Sequence, residues 1–517
     1  MIRSVRPDPD CVARQKLWIL AATILGSTMA FVDESVVNVA LPAIEADLKA
    51  PVAIIQWLVN AYTLCVAALM LIGGAAGDRL GRRRVFVVGA SVFALGSIWC
   101  GLSPSVAQLI TARAVQGIGA AFLIPSSLAI IGASIAEAER GRAIGTWAGF
   151  SAIAAAIGPL LGGWIVDHVS WRWIFLINPL LALVTIWVAL KHVPESRDQA
   201  ADAGLDWAGA LLAIAGLGSL VFGLIASSDR GWHDAWVLGA IAAGLLLLAA
   251  FVFVEARSHA PMMPLDVFAS RTFSAVNLLT LLLYAALGGA FFFLPFDLIQ
   301  VHRYSATLAG AAFLPFTLMM AALSRWSGGL LDRFGARWPL IIGPAITAVG
   351  FALLGLPGID GSYATTFLLP MTVLGLGMAV SVAPLTTAVL GAVPSHRAGV
   401  ASGINNAAAA LANLLAVAIF GAIALGVHDR ALDRRLAAQP VTPEVVTAVQ
   451  AAHGKFVAEP ALARLPGDDR EVADAIVRAS LAESITVVMW LAAALALAGA
   501  ACAAIAIPAR IDRPVRE

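Results

Sequence analysis

The chain has 517 residues, of which 60% are hydrophobic and only 13% are charged, and its formal net charge is +1. Its mean hydropathy is +0.88. Because a soluble globular protein carries about 25% charged residues, this composition excludes a soluble globule and indicates a protein with many membrane-spanning helices. The four cysteines are scattered and indicate neither a disulfide framework nor a metal cluster; they are Cys11, Cys65, Cys100 and Cys502.

Fourteen apolar segments are each long enough to cross about 30 Å of hydrocarbon, which takes roughly 20 helical residues. The first follows four basic residues, as in a signal peptide, but it continues to Leu41 and carries Asp33 and Glu34. We therefore interpret it as an uncleaved membrane helix. The predicted spans are 17–41, 54–76, 85–102, 107–135, 142–166, 172–190, 208–226, 235–254, 273–299, 305–330, 338–356, 364–391, 398–427 and 484–507.

A charged turn, Gly74–Arg84 (GAAGDRLGRRR), separates the second and third spans. Gly81 can supply the positive φ that a tight reversal needs. A degraded copy with Gly, Asp, Arg and Gly at matching spacing occurs at Gly328–Arg337. The chain is therefore predicted to consist of two related halves, as many secondary transporters do.

The first copy resembles the cytoplasmic-loop signature of the major facilitator superfamily, G-x-L-a-D-R-x-G-R-K/R. Only Ala76, where that family usually has a larger apolar residue, departs from it. The resemblance implies a gating loop on the cytoplasmic side, made by Gly74, Asp78, Arg79, Gly81, Arg82 and Arg83.

Eight spans lie between the two turns, where a twelve-helix arrangement would place six. The chain therefore has two extra helices in its middle. The predicted architecture is an all-α membrane protein with the major facilitator fold and 6+2+6 transmembrane helices. Residues 1–190 and 273–517 form the two pseudo-symmetric bundles, and 191–272 form a linker with the two extra helices. The second bundle includes a long outward loop, 428–483, in which patterns such as Asp469–Leu481 predict helix. We interpret this loop as a solvated cap; docking of a partner is the alternative.

Basic residues are distributed unequally between the two sides of the predicted bundle. With a cytoplasmic N-terminus, 20 Lys and Arg residues flank the cytoplasmic helix ends, against four in the short outside loops. Cytoplasmic loops carry such an excess, so both termini are predicted to be cytoplasmic. The four outside residues are Lys49, Arg172, Arg230 and Arg303.

The first span carries two adjacent acids, Asp33 and Glu34, followed by Asn38 and Pro42. Ionisable groups inside a membrane are functional candidates by default. Low-dielectric burial raises the pKa of a carboxylic acid toward the physiological range, which a reversible proton carrier needs. The run FVDESVVNVALPAI resembles the first-helix signature of the fourteen-helix drug:proton antiporters, with Ser35 in place of Thr. Asp33 is the first candidate for proton coupling and Glu34 the second; an acid exposed at a helix end is the alternative for Asp33.

In the fourth span, Arg113, Gln116 and Gly117 follow the superfamily pattern R-x-x-Q-G-x-G and share one helix face. The resemblance implies that Arg113 faces the central cavity and takes part in proton coupling. A structural ion pair or a carbonyl cap is the alternative. The predicted substrate cavity is lined by Asp33, Asn38, Arg113 and Gln116.

In the fifth span, Gly158, Pro159, Gly162 and Gly163 follow the G-P-x-x-G-G pattern associated with antiporters of this superfamily, although Ala154 replaces an earlier glycine. The small residues permit close helix contact, and the proline removes a backbone hydrogen bond. The next stretch, WRWIFLINP (171–179), also resembles this branch and places aromatic residues at an interface.

The second half offers fewer signals. Residues 397–403 resemble the start of the thirteenth helix of this branch, but Ala409 stands where many members have arginine. Asp297 and Arg325 are secondary candidates that we expect to reach water by snorkelling. His302 and His396 lie in predicted loops and are expected to meet solvent.

The resemblance implies a proton-coupled multidrug antiporter of the inner (plasma) membrane that works by alternating access. The alternative is a proton-coupled exporter of one specific metabolite. A membrane sensor or lipid-modifying enzyme would need a signalling domain or a catalytic constellation, and neither is visible. No GxxxxGK[ST] loop, GxSxG motif or metal pattern occurs, so we expect no enzyme activity, cofactor or metal. The expected partners are small amphiphilic substrates, protons and membrane lipid, without nucleic acid. We expect a monomer; a periplasmic adaptor is left open.

Overall fold

The computed structural model describes residues 9–135, 137–197, 206–258, 261–328, 334–356, 363–393, 398–457, 462–463 and 465–508. Within these ranges every regular element is a helix. The first half contains α1 (Pro9–Leu48), α2 (Val52–Leu80), α3 (Arg82–Leu102), α4 (Val106–Ser134), α5 (Glu137–His168), α6 (Trp173–Leu176) and α7 (Asn178–His192). Next come α8 (Trp207–Arg230) and α9 (Ala235–Arg257). The second half contains α10 (Arg271–Phe296), α11 (Ala306–Ala311), α12 (Leu314–Gly328), α13 (Arg337–Leu354), α14 (Leu369–Gly391), α15 (Ala398–Ala438), α16 (Pro443–Gln450) and α17 (Gly467–Ala506).

Thirteen segments among the described residues are long and apolar enough to cross a membrane. The 32-residue helix α5 packs along α1 and supplies the fourteenth predicted span. The predicted all-helical membrane fold is confirmed. Two predicted spans are each divided in two, at Ile177 and at Ala312–Phe313. In both cases a proline, Pro179 or Pro315, lies in the first turn of the following helix, where the missing N–H costs nothing.

The helices that contain the last two predicted spans are longer than the spans. Helix α15 continues past 427 to Ala438, and α17 begins at Gly467 instead of 484. These polar extensions stay helical because they pack with α16 around a small apolar core of their own. The helix predicted at Asp469–Leu481 is confirmed as part of α17. The core residues include Leu432, Val445, Val449, Ala473 and Ile476.

The two ends of the bundle are distinct. Helices α2 and α15 run antiparallel, because Gln56 lies against Gly421 and Leu71 against Gly403. We call the end with residues 428–483 the loop end and the end with the α2–α3 turn the arginine-rich end. The second charged turn also lies at the arginine-rich end, where Arg337 Nη2 donates to the Ala504 carbonyl at 2.5 Å. Gly335 in that turn has φ +70°, as its counterpart Gly81 has φ +111°; Asp332 and Arg333 lie outside the described residues.

The two halves contact each other closely at the loop end. A β-carbon at Gly163 of α5 would overlap the Ala306 carbonyl, and one at Gly310 of α11 would overlap the Pro159 carbonyl. Asp167 accepts hydrogen bonds from the backbone N–H groups of Ala306 (3.0 Å) and Thr307 (2.7 Å). One apolar core, with members from both halves, continues across this contact. The loop end is therefore closed.

Candidate functional site

Asp33 of α1 and Arg113 of α4 form an ion pair inside the first half. Arg113 Nη1 lies 2.5 Å from Asp33 Oδ2. The Arg113 side chain is 1% exposed and the Asp33 side chain is 0% exposed. A buried charge needs a partner, and here each residue supplies the other's. The alternative that Asp33 is an acid exposed at a helix end is therefore wrong.

Two amides complete the surroundings of the Asp33 carboxylate. Gln116 Nε2 and Asn178 Nδ2 each donate to Asp33 Oδ1 at 2.7 Å. Ser97 Oγ lies between these amides and accepts from Gln116 at 2.7 Å and from Asn178 at 3.4 Å. Gln116, Asn178 and Ser97 are at most 1% exposed. Four helices, α1, α3, α4 and α7, therefore contribute to one hydrogen-bond network around the Asp33 carboxylate.

Arg113 is fixed by three further contacts. Its Nε donates to the Leu58 carbonyl of α2 at 3.0 Å, and its Nη1 donates to Gln116 Oε1 at 2.6 Å. Its guanidinium lies over the Tyr62 ring, 4.3 Å from the centroid, a cation–π arrangement. Arg113 thus combines the ion pair and the carbonyl cap that were its alternative structural roles.

Glycines bring the backbones close enough to form this network. A β-carbon at Gly117 would lie 2.5 Å from the Tyr62 carbonyl oxygen, and one at Gly96 would lie 2.8 Å from the Gln116 nitrogen. Both glycines allow α4 to approach its neighbours more closely than alanine would. This close approach explains why the glycine follows the glutamine in the R-x-x-Q-G pattern.

Two more predicted site residues lie outside the network: Glu34, predicted for proton coupling, and Asn38, predicted for the cavity. Glu34 and Asn38 are half-buried. Glu34 is close enough to Arg113, Asp33 and Tyr62 to interact with them electrostatically. The structure therefore contains a fully buried ion pair, Asp33–Arg113, and next to it an acid, Glu34, whose side chain is only partly buried.

Sequence reasoning missed Asn178, Ser97 and Tyr62. Asn178 carried a usable signal, because an Asn–Pro pair in an apolar segment marks a helix start where a polar side chain can point inward. Ser97 and Tyr62 are ordinary residues of membrane helices. Nothing local in their sequence distinguishes them.

The second half contains a neutral hydrogen-bond network between α10 and α15. Asn405 Nδ2 of α15 donates to Asn277 Oδ1 at 3.1 Å and to Thr280 Oγ1 at 2.7 Å, both on α10. Asn405 lies one helical turn before Ala409. Sequence reasoning did not select these three residues.

The expectation that His302 meets solvent is wrong. Its side chain is only 6% exposed, its ring packs edge-on against Phe367 at 5.0 Å, and its Nε2 lies 3.8 Å from Asp297. The loop folds inward here because a π-helical turn, Asp297–Val301, extends α10. Arg397 and His396 lie outside the described residues, as does the side chain of Arg325.

The first charged turn is held by an ion pair of its own and by a residue that follows α7. Asp78 pairs with Arg82 across Gly81, with 2.7 Å between Asp78 Oδ1 and Arg82 Nη2. Glu195, three residues after α7, accepts the Arg83 N–H at 3.1 Å, and its Oε2 lies 3.7 Å from both Arg83 Nε and Arg84 Nε. Arg79 is exposed and Gly74 half-buried. Glu195 was not selected from the sequence.

The Gly-Pro motif of α5 has two faces. Gly158 and Gly162 lie against Ser35 and Val36 of α1, so the predicted small-residue contact is confirmed. Pro159 and Gly163 instead lie against α11 of the second half. One motif therefore packs α5 inside its own bundle and across the boundary between bundles.

Two related helical halves with polar groups buried between membrane helices are the arrangement of many secondary membrane transporters. The chain belongs to the Major Facilitator Superfamily, whose model matches residues 23–211 and 206–417. The first match covers most of the first half and reaches α8, and the second runs from the start of α8 into α15. The protein is thus a multi-pass membrane transporter, and the predicted family is confirmed.

Several characterised relatives are resistance or export proteins. The chain is 33% identical to the tetracenomycin C resistance and export protein of Streptomyces glaucescens, over 99% of the chain and 96% of that protein. It is 35% identical to the multidrug resistance protein Stp of Mycobacterium tuberculosis, over 79% of the chain and 76% of Stp. It is also 35% identical to the puromycin resistance protein pur8 of Streptomyces alboniger, over 81% of the chain and 83% of pur8.

Solved structures agree on the fold. A bacterial homologue of the human lysosomal transporter Spinster, in an inward-facing and occupied conformation, superposes with a TM-score of 0.66 at 16% identity, over 93% of this chain and 96% of that one. A D-xylose–proton symporter superposes with a TM-score of 0.59 at 16% identity, over 95% of this chain and 98% of the symporter.

Proposed function

We propose that the protein exports antibiotics or other amphiphilic drugs in exchange for protons, with Asp33 as the proton-binding residue and Arg113 as its partner. The observation that carries the proposal is the buried Asp33–Arg113 pair with its two amides. Acids inside membrane helices mark proton pathways in transporters. The resistance and export relatives support the direction of transport.

The geometry gives protonation a mechanical consequence. Asp33 Oδ1 accepts two hydrogen bonds and Oδ2 accepts one from Arg113. Protonation removes the negative charge that attracts the guanidinium, so the ion pair with Arg113 is lost. Loss of the ion pair leaves Arg113 attached to the Leu58 carbonyl of α2 and detached from α1. Arginine stays charged, so Arg113 holds or releases α1 without carrying the proton. Substrate and proton then compete for the same state of the first half.

The proposal places the arginine-rich end in the cytoplasm of the cell and the loop end outside. The excess of basic residues at the arginine-rich end supports this orientation in the inner (plasma) membrane. Asp78, Arg79, Gly81 and Arg82 would then close the cytoplasmic side in the outward-open state. The chain is proposed to act as a monomer; an adaptor on the outside is compatible with this scheme.

Proton release driven by drug tests the proposal. The purified protein is reconstituted in liposomes carrying a trapped pH-sensitive dye, and puromycin or tetracenomycin C is added. We expect both compounds to drive proton movement with the unaltered chain and Asp33→Asn to abolish it. Asp47→Asn, which removes an acid on the same helix outside the network, should leave it intact. Unchanged proton movement with Asp33→Asn would reject the assignment.

Export of one specific metabolite is the second candidate function. It is favoured by the relative that aligns over nearly the whole chain, because that protein is named for a single compound, tetracenomycin C. A panel of cationic, neutral and acidic compounds in the same liposomes separates the two. Response to one chemical class supports the specific exporter, and response across classes supports the multidrug exporter.

A further inference from the structure

Residues 454–457, which we call the strap, join the two halves at the loop end. On one side, Phe456 packs against Phe293 and Phe296 of α10, with ring centroids 5.8 and 5.6 Å apart. On the other side, the Val52 N–H of α2 donates to the Gly454 carbonyl at 3.1 Å. The strap therefore has contacts that must separate when the loop end opens.

Glu45 of α1 is the side chain that receives the strap. Its Oε1 accepts the N–H groups of Phe456 and Val457, each at 3.0 Å. The residue is only 2% exposed, and its Oε2 is buried with no hydrogen-bond partner among the described residues. Among the described residues, no Lys, Arg or His side chain forms an ion pair with Glu45. The buried Glu45 carboxyl group thus has one oxygen that accepts two hydrogen bonds and one oxygen that accepts none from the described residues.

This arrangement suits a neutral carboxylic acid. An ionised carboxylate buried with one unpaired oxygen carries a large desolvation cost. A protonated acid keeps Oε1 as the acceptor for both N–H groups and places its hydrogen on Oε2. When the strap leaves, water reaches the group and the ionised form becomes favourable.

We propose that Glu45 is a second proton-binding site, separate from Asp33, which holds a proton while the loop end is closed and releases it when the loop end opens. This inference rests on the alternating access of the proposed function. Because the proton enters and leaves on the same side of the membrane, it sets the position of the gate and does not drive transport. A low pH on the loop side favours closure.

Several other ionisable groups lie near the strap. Asp47 on the same helix pairs with Arg172 at 2.9 Å. Lys455 of the strap interacts with Glu45 electrostatically without forming an ion pair. On α15, His428 lies across the Phe456 ring at 5.5 Å and Asp429 accepts the Gly454 N–H at 3.2 Å. His453 lies 3.2 Å from Asp433.

Distance measurements across the loop end test the inference. Spin labels are attached to cysteines at Gln108 of α4 and at Leu356, which follows α13; both positions are exposed. The full chain, with its native cysteines replaced, carries Asp33→Asn so that the proposed coupling acid contributes nothing. With Glu45 present, the ratio of closed to open molecules should fall as pH rises, by at most about tenfold per pH unit for one linked proton.

Glu45→Gln should remove this pH dependence and hold the closed population high at every pH, because the amide is neutral. Asp47→Asn should keep the dependence. If Glu45→Gln does not fold, Glu45→Met answers the same question, since it also lacks the titrating group. A pH slope unchanged by either substitution, or a flat response with Glu45 present, would overturn the inference. Because no substrate or gradient is involved, this result stands apart from the liposome test of the proposed function.

Discussion

The Glu195 carboxylate lies directly over Gly81. A β-carbon at Gly81 would lie 2.8 Å from Glu195 Oε1, and the glycine has φ +111°, a conformation that residues with side chains rarely adopt. The α2–α3 turn is therefore constrained both by its backbone and by a carboxylate that follows α7.

Gly81→Ala is expected to destabilise this turn by about 1–3 kcal/mol, the usual cost of a sparsely populated backbone conformation. The overlap with Glu195 adds to this cost. The measurement is the thermal unfolding midpoint of the purified protein in detergent. Gly231→Ala is a control for backbone strain alone, because Gly231 has φ +81° with no atom within 4 Å of its β-position. Equal losses for the two variants would show that Glu195 contributes nothing.

Glu195→Gln tests the contact from the other side. The amide retains one acceptor oxygen for the Arg83 N–H but loses the charge that faces Arg83 and Arg84. Because this carboxylate is partly exposed and the Nε–Oε2 distances are 3.7 Å, we expect a small loss of stability, about 0.2–1 kcal/mol. The loss should shrink when salt is raised. A loss that does not depend on salt would contradict an electrostatic role.

Asn178→Leu should weaken proton coupling, because it removes one of the two amides that hold Asp33 Oδ1. Loss of a hydrogen bond to a buried charged group costs about 1.5–3 kcal/mol. We expect slower drug-driven proton movement and a shifted pH dependence in liposomes. Thr185→Val is the matched control on α7, since the Thr185 hydroxyl donates to the Leu181 carbonyl of its own helix and, among the described residues, to no group of the Asp33 network. Similar effects of both substitutions would indicate a packing defect in α7.

Sequence patterns predicted the membrane helices, the paired charged turns and the residues Asp33, Arg113 and Gln116, because each belongs to a local run with characteristic spacing. They did not predict Asn178, Glu195 or Glu45 as functional candidates. Asn178 meets Asp33 across 145 positions of the chain, and the strap meets Glu45 across more than 400. Contacts at such separations depend on how the helices pack, and hydropathy carries no information on which polar atoms will face each other.

Asp167→Asn is expected to loosen closure of the loop end. The Asp167 carboxylate accepts the N–H groups of Ala306 and Thr307 and the Thr307 hydroxyl, and an amide has only one acceptor oxygen for these three donors. The Gln108–Leu356 spin-label distance should shift toward longer values. Asp234→Asn is the matched control, because Asp234 caps α9 by the same chemistry outside the two bundles. A shift in the control and none in Asp167→Asn would contradict the assignment.

Gly163→Val should prevent the two halves from closing at the loop end. The added side chain would overlap the Ala306 carbonyl of α11, which is backbone and cannot move aside without displacing the second half. The open state should then dominate the spin-label distances, and transport should stop because alternation needs both states. Gly239→Val is the control: Gly239 lies on the exposed face of α9 with nothing within 4 Å of its β-position. If Gly163→Val still closes and transports, the contact between α5 and α11 does not belong to the gate.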